Sequence, residues 1–260
     1  FRCFKLFIMK FILKIIFALI VVCLVGSFFW LYLNLKIVKN ELEFTVYGVD
    51  LEHEQTLKIA LIADIHIPDT NSAYEKIDTL LNQIKAHKPD LYIFAGDYTS
   101  LPSSLKSVEL HRSKIVEILT KEELEKKIFV LGNYETWTDA SEWNNAFLLK
   151  TENILNNKIA LVAAGKTRIC VRGLGDFYTN QFEYLDFPDA CKGLIKFSVT
   201  HDPAGAFVKG IKGLVLSGHT HCGQIKLPLY GALWIPSIAP VEASCGLYKD
   251  NNRTVFTTSR

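Results

Sequence analysis

Two histidines at i and i+2, His219 and His221, sit between Gly218 and Gly223 just after the apolar run Leu214-Val215-Leu216. A strand that delivers two imidazoles at its tip, with glycines that let other backbone come close, suits metal ligation. On its own such a pair is as readily an ordinary surface turn. More donors follow four other apolar runs: Asp64 and His66 after Leu61-Ile62-Ala63, Asp97 after Tyr92-Ile93-Phe94-Ala95-Gly96, Asn133 after Phe129-Val130-Leu131-Gly132, and His201 after Phe197-Ser198-Val199-Thr200. In open α/β sheets ligands collect at the carboxyl ends of strands, so these tips can converge on one site. The donors Asp64, His66, Asp97, Asn133, His201, His219 and His221 are too many for one tetrahedral zinc. They suit two divalent ions sharing a carboxylate.

In this order, Asp-x-His, Gly-Asp, Gly-Asn, a lone His and Gly-His-x-His resemble the motif blocks of the calcineurin-like metallophosphoesterases, from about Leu57 to Leu229. The resemblance implies one metal on Asp64, His66, Asp97 and His221, and another on Asp97, Asn133, His201 and His219, with Asp97 bridging. It also implies catalytic roles for Asp97, Asn133 and His201. Mixed nitrogen and oxygen ligands suit Mn²⁺, Fe²⁺ or Zn²⁺ better than Mg²⁺, and Mn²⁺ is the expected ion in vitro.

The elements that must position these residues are legible in outline. Leu57–Ala63 reads as a buried strand, and Ser72 with Glu75 as a capping box for a helix carrying Ile77, Leu80, Leu81 and Ile84. Strand, helix, strand implies parallel pairing. Helical patterns recur over Val108–Leu119 and Asp139–Leu149; from Lys158 the runs shorten, which predicts a second sheet packed on the first. The family resemblance implies an α/β fold of two mixed β-sheets sandwiched between helices, in four αββα layers; ahead of it the apolar run from Ile15 to Leu35 predicts an N-terminal membrane helix. The expected division is an anchor over residues 1–36 and a metallophosphoesterase domain over 44–260.

Composition sets bounds. The chain of 260 residues is 49% hydrophobic with a net charge of +2, enough for one sizeable core and no pointer to a nucleic-acid partner. Ile15 to Leu35 is an uncharged run of 21 residues, long enough to span a bilayer of roughly 30 Å and too long for a signal-peptide core. Trp30 and Tyr32 suit the headgroup boundary. Arg2, Lys5, Lys10 and Lys14 precede the run and Lys36 and Lys39 follow it, a bias that favours an exported domain. The basic, amphipathic Phe4–Lys14 stretch equally suits an interfacial anchor. Cys170, Cys191, Cys222 and Cys245 have no disulfide-type spacing, so reduced thiols are expected; Cys222 is an alternative metal ligand beside His221.

The segment Gly175–Gly193, with Phe177, Tyr178, Phe182, Tyr184 and Phe187, has no clear period and serves either as core-edge packing or as an aromatic wall for an acyl chain or nucleobase. Gly223-Gln224-Ile225-Lys226-Leu227-Pro228 resembles a run common after the double histidine in membrane-attached phosphoesterases.

Residue 134 departs from the family pattern, which has Gly-Asn-His followed by Asp or Glu. Here the block is Gly132-Asn133-Tyr134-Glu135, so the usual leaving-group acid is a tyrosine. Two-metal hydrolysis does not need that histidine to make its nucleophile. It matters for a basic leaving group: an alkoxide, with a pKa near that of water at about 15.7, needs a proton, whereas a phosphate, with a second pKa of about 6, departs largely without one. General acid help is worth about 10² to 10⁴ in rate, so its loss points to phosphoanhydride bonds. Tyr134 either donates a hydrogen bond to substrate or only packs beside Trp137. With the anchor, this resembles the membrane-associated enzymes that hydrolyse UDP-2,3-diacylglucosamine to UMP and 2,3-diacylglucosamine 1-phosphate in lipid A biosynthesis. A lipid-linked nucleotide sugar is then the substrate, and the active site lies on the cytoplasmic face of the inner membrane. The alternatives are an exported phosphodiesterase or phosphatase acting on an envelope lipid or wall polymer, and a non-catalytic metal-binding membrane protein.

Overall fold

The computed structural model describes residues 12–28, 57–101, 107–122, 124, 126–165, 167–223, 226–227, 231–232 and 234–258. Phe1–Val46 and Tyr47–Arg260 form separate compact units. In the first, residues 12–28 are helical (α1) and expose apolar side chains throughout. Among the described residues no helix is long and apolar enough to cross a membrane. The expected span from Ile15 to Leu35 runs on past residue 28, and Trp30, Tyr32 and Phe4–Phe11 of the basic stretch lie outside the described residues.

The second unit opens with β1 (Ile59–Ile62), α2 (Asn71–Ala86), β2 (Leu91–Ala95), α3 (Val108–Leu119) and β3 (Lys127–Val130). Among the described residues these strands form a sheet in the order β1-β2-β3 that is parallel throughout, where a mixed sheet was expected. A helix must cross over between each pair, and a strand covered on both faces reads as an unbroken apolar run. In β2, Tyr92 and Phe94 point to the helices while Leu91, Ile93 and Ala95 point to the second sheet. That alternation is the two-residue period of a strand. Phe94 stacks on Phe129 at 4.8 Å within the helix-side core, and truncating Phe129 to alanine there costs about 3–5 kcal/mol. The cap of α2 is Thr70, whose side chain accepts from the Ala73 N–H, rather than Ser72. Asp69 orders this loop by accepting from the Tyr74 hydroxyl at 2.8 Å.

After α4 (Asn133–Trp137) and α5 (Ala140–Leu148) come β4 (Lys158–Ala164), β5 (Thr167–Gly173), β6 (Ile195–Val199), β7 (Gly213–Ser217), a short β8–β9 pair (Lys226–Leu227, Gly231–Ala232), β10 (Gly246–Lys249) and β11 (Arg253–Thr257). The second sheet has the order β10-β11-β7-β6-β5-β4, parallel inside and antiparallel at both edges. Between the two sheets lie Ala63, Ile93, Val130, Val171, Phe197, Val199 and Leu216. The outer face of the second sheet is covered by the 3-10 turn Pro203–Phe207 and loop residues around Ile211 and Phe182, not by an α-helix among the described residues. The four-layer expectation holds for helix, sheet and sheet; its last layer is loop.

Cysteine usage differs from expectation. Cys170 of β5 is bonded to Cys191, and Cys222 to Cys245, with Cα separations of 5.7 and 4.5 Å. The partners are 21 and 23 residues apart in sequence, so only the fold brings them together. Cys23 is the free cysteine among the described residues. The bond to Cys245 removes Cys222 from the set of metal ligands.

Candidate metal centre

The tips of β1, β2, β3, β6 and β7 meet at one end of the two sheets. Pairing continues past the strands there: the N–H groups of Asp64 and His66 donate to the carbonyls of Gly96 and Asp97, both at 3.0 Å, and the Gly218 N–H donates to the His201 carbonyl at 2.9 Å. Asp64, His66, Asp97, His219, His221 and Cys222 all hold positive φ, between 45° and 70°. Each such residue costs on the order of 1–3 kcal/mol, and such strain gathers where function fixes side-chain direction. Gly132 makes the convergence possible: a Cβ there would lie 2.3 Å from Asp97 Oδ1.

Two groups of donors result. Asp64, His66 and His221 form one, and the buried Asp97, His201 and His219 form the other, each with its ligand-type atoms within 4.8 Å of one another. Asp97 stands between them. Its Oδ2 lies 3.6 Å from His66 Nε2 and its Oδ1 lies 3.3 Å from His201 Nε2. Asn133 joins the second group through Oδ1, 3.0 Å from His201 Nε2. All seven donors read from the sequence are thus in one place, and Asp97 has an oxygen for each group.

The second group is built for a cation. His201 Nδ1 donates to the Ala95 carbonyl at 2.7 Å and His219 Nε2 to the Pro236 carbonyl at 2.5 Å, which turns His201 Nε2 and His219 Nδ1 toward each other at 3.1 Å. Two bare nitrogens facing at that distance repel unless a positive charge lies between them. Nitrogens bound about 2.0–2.1 Å from one ion stand about 3 Å apart, so the spacing fits. Backbone carbonyls on the far ring nitrogens are the usual way of fixing a ligating tautomer. In the other group, His66 Nε2 and His221 Nε2 face each other at 3.3 Å.

The two buried imidazoles sit in opposite fields. Burial pushes His201 down, but Asp97 and the other carboxylates raise it well above the ordinary imidazole value. Burial and the neighbouring His201 push His219 down to about 4. Asp97 is raised by burial and pulled below the usual carboxylate range by His201, the Tyr134 N–H and His66.

Supporting residues escaped the sequence reading. Glu135, fully buried, accepts from the N–H groups of Asp97, Tyr98, Thr99 and Gly132 at 2.8–3.1 Å, locking the β2 tip to the β3 tip. Burial and Asp97 push it up to about 7 while those N–H groups pull it back. Its one signal was its place after Gly132-Asn133. Asp202 accepts from the Ser237 hydroxyl at 2.5 Å and so fixes the loop whose Pro236 carbonyl holds His219.

Tyr134 presents its backbone N–H to Asp97 Oδ1 at 2.9 Å, and its ring packs edge-on to His66 at 4.4 Å and beside Trp137 at 5.1 Å. The aromatic segment divides between packing under the second sheet and a position beside the donors. Phe182 packs under the second sheet, Tyr184 and Phe187 flank Arg172, and Tyr178 lies 4.8 Å from His219.

Comparison with known proteins agrees with this geometry. Residues 57–223 match the family described as Calcineurin-like phosphoesterase. The chain is 28% identical over 199 residues to a transmembrane protein with metallophosphoesterase domain from Bos taurus, covering 69% of this chain and 43% of that one. It is 25% identical over 205 residues to the uncharacterized metallophosphoesterase YkuE of Bacillus subtilis, covering 76% and 70%. To the phosphodiesterase YaeI of Escherichia coli it is 27% identical over 214 residues, covering 77% and 73%. The chain thus spans less than half of the bovine protein and about seven tenths of the two bacterial ones.

Proposed function

The chain belongs to the calcineurin-like phosphoesterase family, whose members are metal-dependent phosphoesterases, and from that premise we propose that it hydrolyses phosphodiester or phosphoanhydride bonds with two divalent cations. The observation that carries the reading is Asp97, with one oxygen toward each donor group. Asp64, His66, Asp97 and His221 would hold one ion, and Asp97, Asn133, His201 and His219 the other. When bound, such a pair supplies an activated water and neutralises the phosphoryl oxygens. The chain's own residues do the rest. Glu135 keeps the two tips in register, and the carbonyls of Ala95 and Pro236 hold the two imidazoles in the ligating tautomer.

Tyr134 governs the substrate class. Burial and Asp97 raise its hydroxyl above the ordinary phenol value, so it stays protonated and neutral in the working pH range. It can donate a hydrogen bond but is a weaker general acid near neutral pH than the imidazole it replaces, which favours leaving groups of low basicity. We take Mn²⁺ as the working ion in vitro.

Two disulfides in the catalytic unit favour an oxidising compartment, as does the excess of basic residues before the apolar run. The favoured setting is therefore an exported domain on a membrane anchor, acting on an envelope phosphoester; the printed name of the Escherichia coli relative, a phosphodiesterase, is in keeping with this. Tyr134 and the anchor favour a second reading, hydrolysis of UDP-2,3-diacylglucosamine to UMP and 2,3-diacylglucosamine 1-phosphate at the cytoplasmic face.

The test is turnover of bis(p-nitrophenyl) phosphate by full-length protein stripped with chelator and reloaded with Mn²⁺. Rates that collapse on stripping and return on reloading are expected; rates indifferent to chelator overturn the proposal. UMP release from UDP-2,3-diacylglucosamine, together with a compartment-sensitive reporter fused to the C-terminus, then separates the two settings.

A further inference from the structure

Trp137 and Tyr178 are large aromatic rings left 52% and 46% exposed beside the metal centre. Single exposed aromatics need no explanation, but these two touch each other and belong to a continuous arc. His66 contacts Tyr134 at 4.4 Å, Tyr134 contacts Trp137 at 5.1 Å, Trp137 contacts Tyr178 at 6.3 Å, and Tyr178 contacts His219 at 4.8 Å. The arc begins at a donor of one group and ends at a donor of the other. Between Trp137 and Tyr178 the ring planes meet at 70°, edge toward face, and form a corner.

Both walls of the corner are held rigidly. Asp176 Oδ2 accepts from the Thr179 N–H and hydroxyl at 3.0 and 2.6 Å, and the Gln181 N–H donates to the Asp176 carbonyl at 2.9 Å. Asn157 clamps the loop from below, accepting from the N–H groups of Gly175 and Glu183 at 2.7 and 3.0 Å and donating to the Gln181 carbonyl at 2.7 Å. Thr179 reaches Thr136 of α4 at 3.4 Å, tying one wall to the other. Behind them, the Trp143 indole N–H donates to the Thr138 hydroxyl at 2.9 Å and fixes the end of α4. Rings of this size usually bury about 150–250 Å² each. The exposed parts of these rings, on fixed backbone next to the residues that would grip a phosphoryl group, offer pre-organised aromatic surface to a flat partner.

We propose that Trp137 and Tyr178 form a stacking subsite for the nucleobase of a nucleoside phosphoester bound at the metal centre. The ring lies against one wall and meets the other edge-on, an arrangement that tolerates any base because every base has a π-face. This deepens the hydrolase reading above and rests on it for the position of the phosphate.

The test is calorimetric binding of UMP, AMP and ribose 5-phosphate to the full-length, Mn²⁺-loaded protein, with decyl phosphate as the apolar control. We expect both nucleotides to bind about 5- to 150-fold more tightly than ribose 5-phosphate, the span of base–aromatic stacking. The W137A/Y178A double variant brings the nucleotides to within twofold of ribose 5-phosphate. If that variant does not fold, Tyr178→Phe keeps the preference and Tyr178→Ala loses at least fivefold of it. Equal affinity of the wild-type protein for the three ligands overturns the subsite. So does a preference that survives both alanines, or tighter binding of decyl phosphate than of either nucleotide. Mn²⁺-dependent turnover of bis(p-nitrophenyl) phosphate tests hydrolysis separately. Stacking without turnover refutes the hydrolase alone, and turnover without stacking refutes the subsite alone.

Discussion

Replacing Asp97 by asparagine removes one negative charge and keeps one carbonyl oxygen. That oxygen stays at the Oδ1 position, where it accepts the Tyr134 N–H at 2.9 Å and faces His201 at 3.3 Å, so the new amide nitrogen points toward His66, 3.6 Å from the present Oδ2. A donor then faces the Asp64–His66–His221 group, and that group should lose its ion first. Unit charges about 4 Å apart interact by about 4 kcal/mol at an effective dielectric of about 20. At about 1.4 kcal/mol per tenfold, metal binding weakens on the order of a thousandfold. The assay is metal content by elemental analysis after stripping, reloading with Mn²⁺ and gel filtration, alongside turnover of bis(p-nitrophenyl) phosphate. The expected result is about two ions per chain in the wild-type protein, one or fewer in Asp97→Asn, and turnover at least a thousandfold lower. A variant that holds two ions and keeps a tenth of the turnover would refute the bridging role.

Tyr134→Phe should lower the turnover of p-nitrophenyl esters less than threefold, whereas Tyr134→His should raise turnover of an alkyl phosphodiester at least tenfold, both read by steady-state kinetics. Glu135→Gln puts an amide NH₂ against backbone N–H donors; with two of them facing it at about 1–3 kcal/mol each, chemical denaturation should register a loss of at least about 2 kcal/mol. C170S/C191S opens a 21-residue closure worth about 3 kcal/mol, a fall in melting temperature of about 6–12 °C that dithiothreitol, which also acts on Cys222–Cys245, should match or exceed in the wild-type protein. No change with reductant would instead favour the cytoplasmic setting. Burial holds His111 below the ordinary imidazole value, with Asp69 opposing and Lys114 adding to the shift. Its folded value lies under its unfolded value of about 6.5, so its contribution is full above that pH and is lost as the pH falls through the folded value. The melting temperature of the wild-type protein should therefore fall more steeply from pH 7 to 5 than that of His111→Gln.

The donors were legible in the sequence because each follows an apolar run that can only be a strand. Parallel strands with crossovers put their carboxyl ends on one edge, so knowing that Leu61, Phe94, Val130, Val199 and Leu216 lie in strands places Asp64, Asp97, Asn133, His201 and His219 together. What was not legible depends on distances between remote segments. Glu135 looks like any acid in a helical turn until four N–H groups of the β2 and β3 tips are brought around it. Cys170 and Cys191 carry no spacing signal, since the separation of 21 residues reflects the path of the β5–β6 connection. The cap of α2 was misplaced by two residues because Thr70 and Ser72 are equally able acceptors and only the extended backbone at Thr70, with φ −143°, decides between them. The aromatic loop had no period to read because Asp176 and Asn157, not a strand or helix, set its course.

Anomalous diffraction from crystals grown with Mn²⁺ shows whether one carboxylate serves two cations. Two anomalous peaks are expected, one on each side of the Asp97 carboxylate, with His66 and His221 beside the first and His201, His219 and Asn133 beside the second. A single peak, or two peaks neither of which touches Asp97, would contradict it.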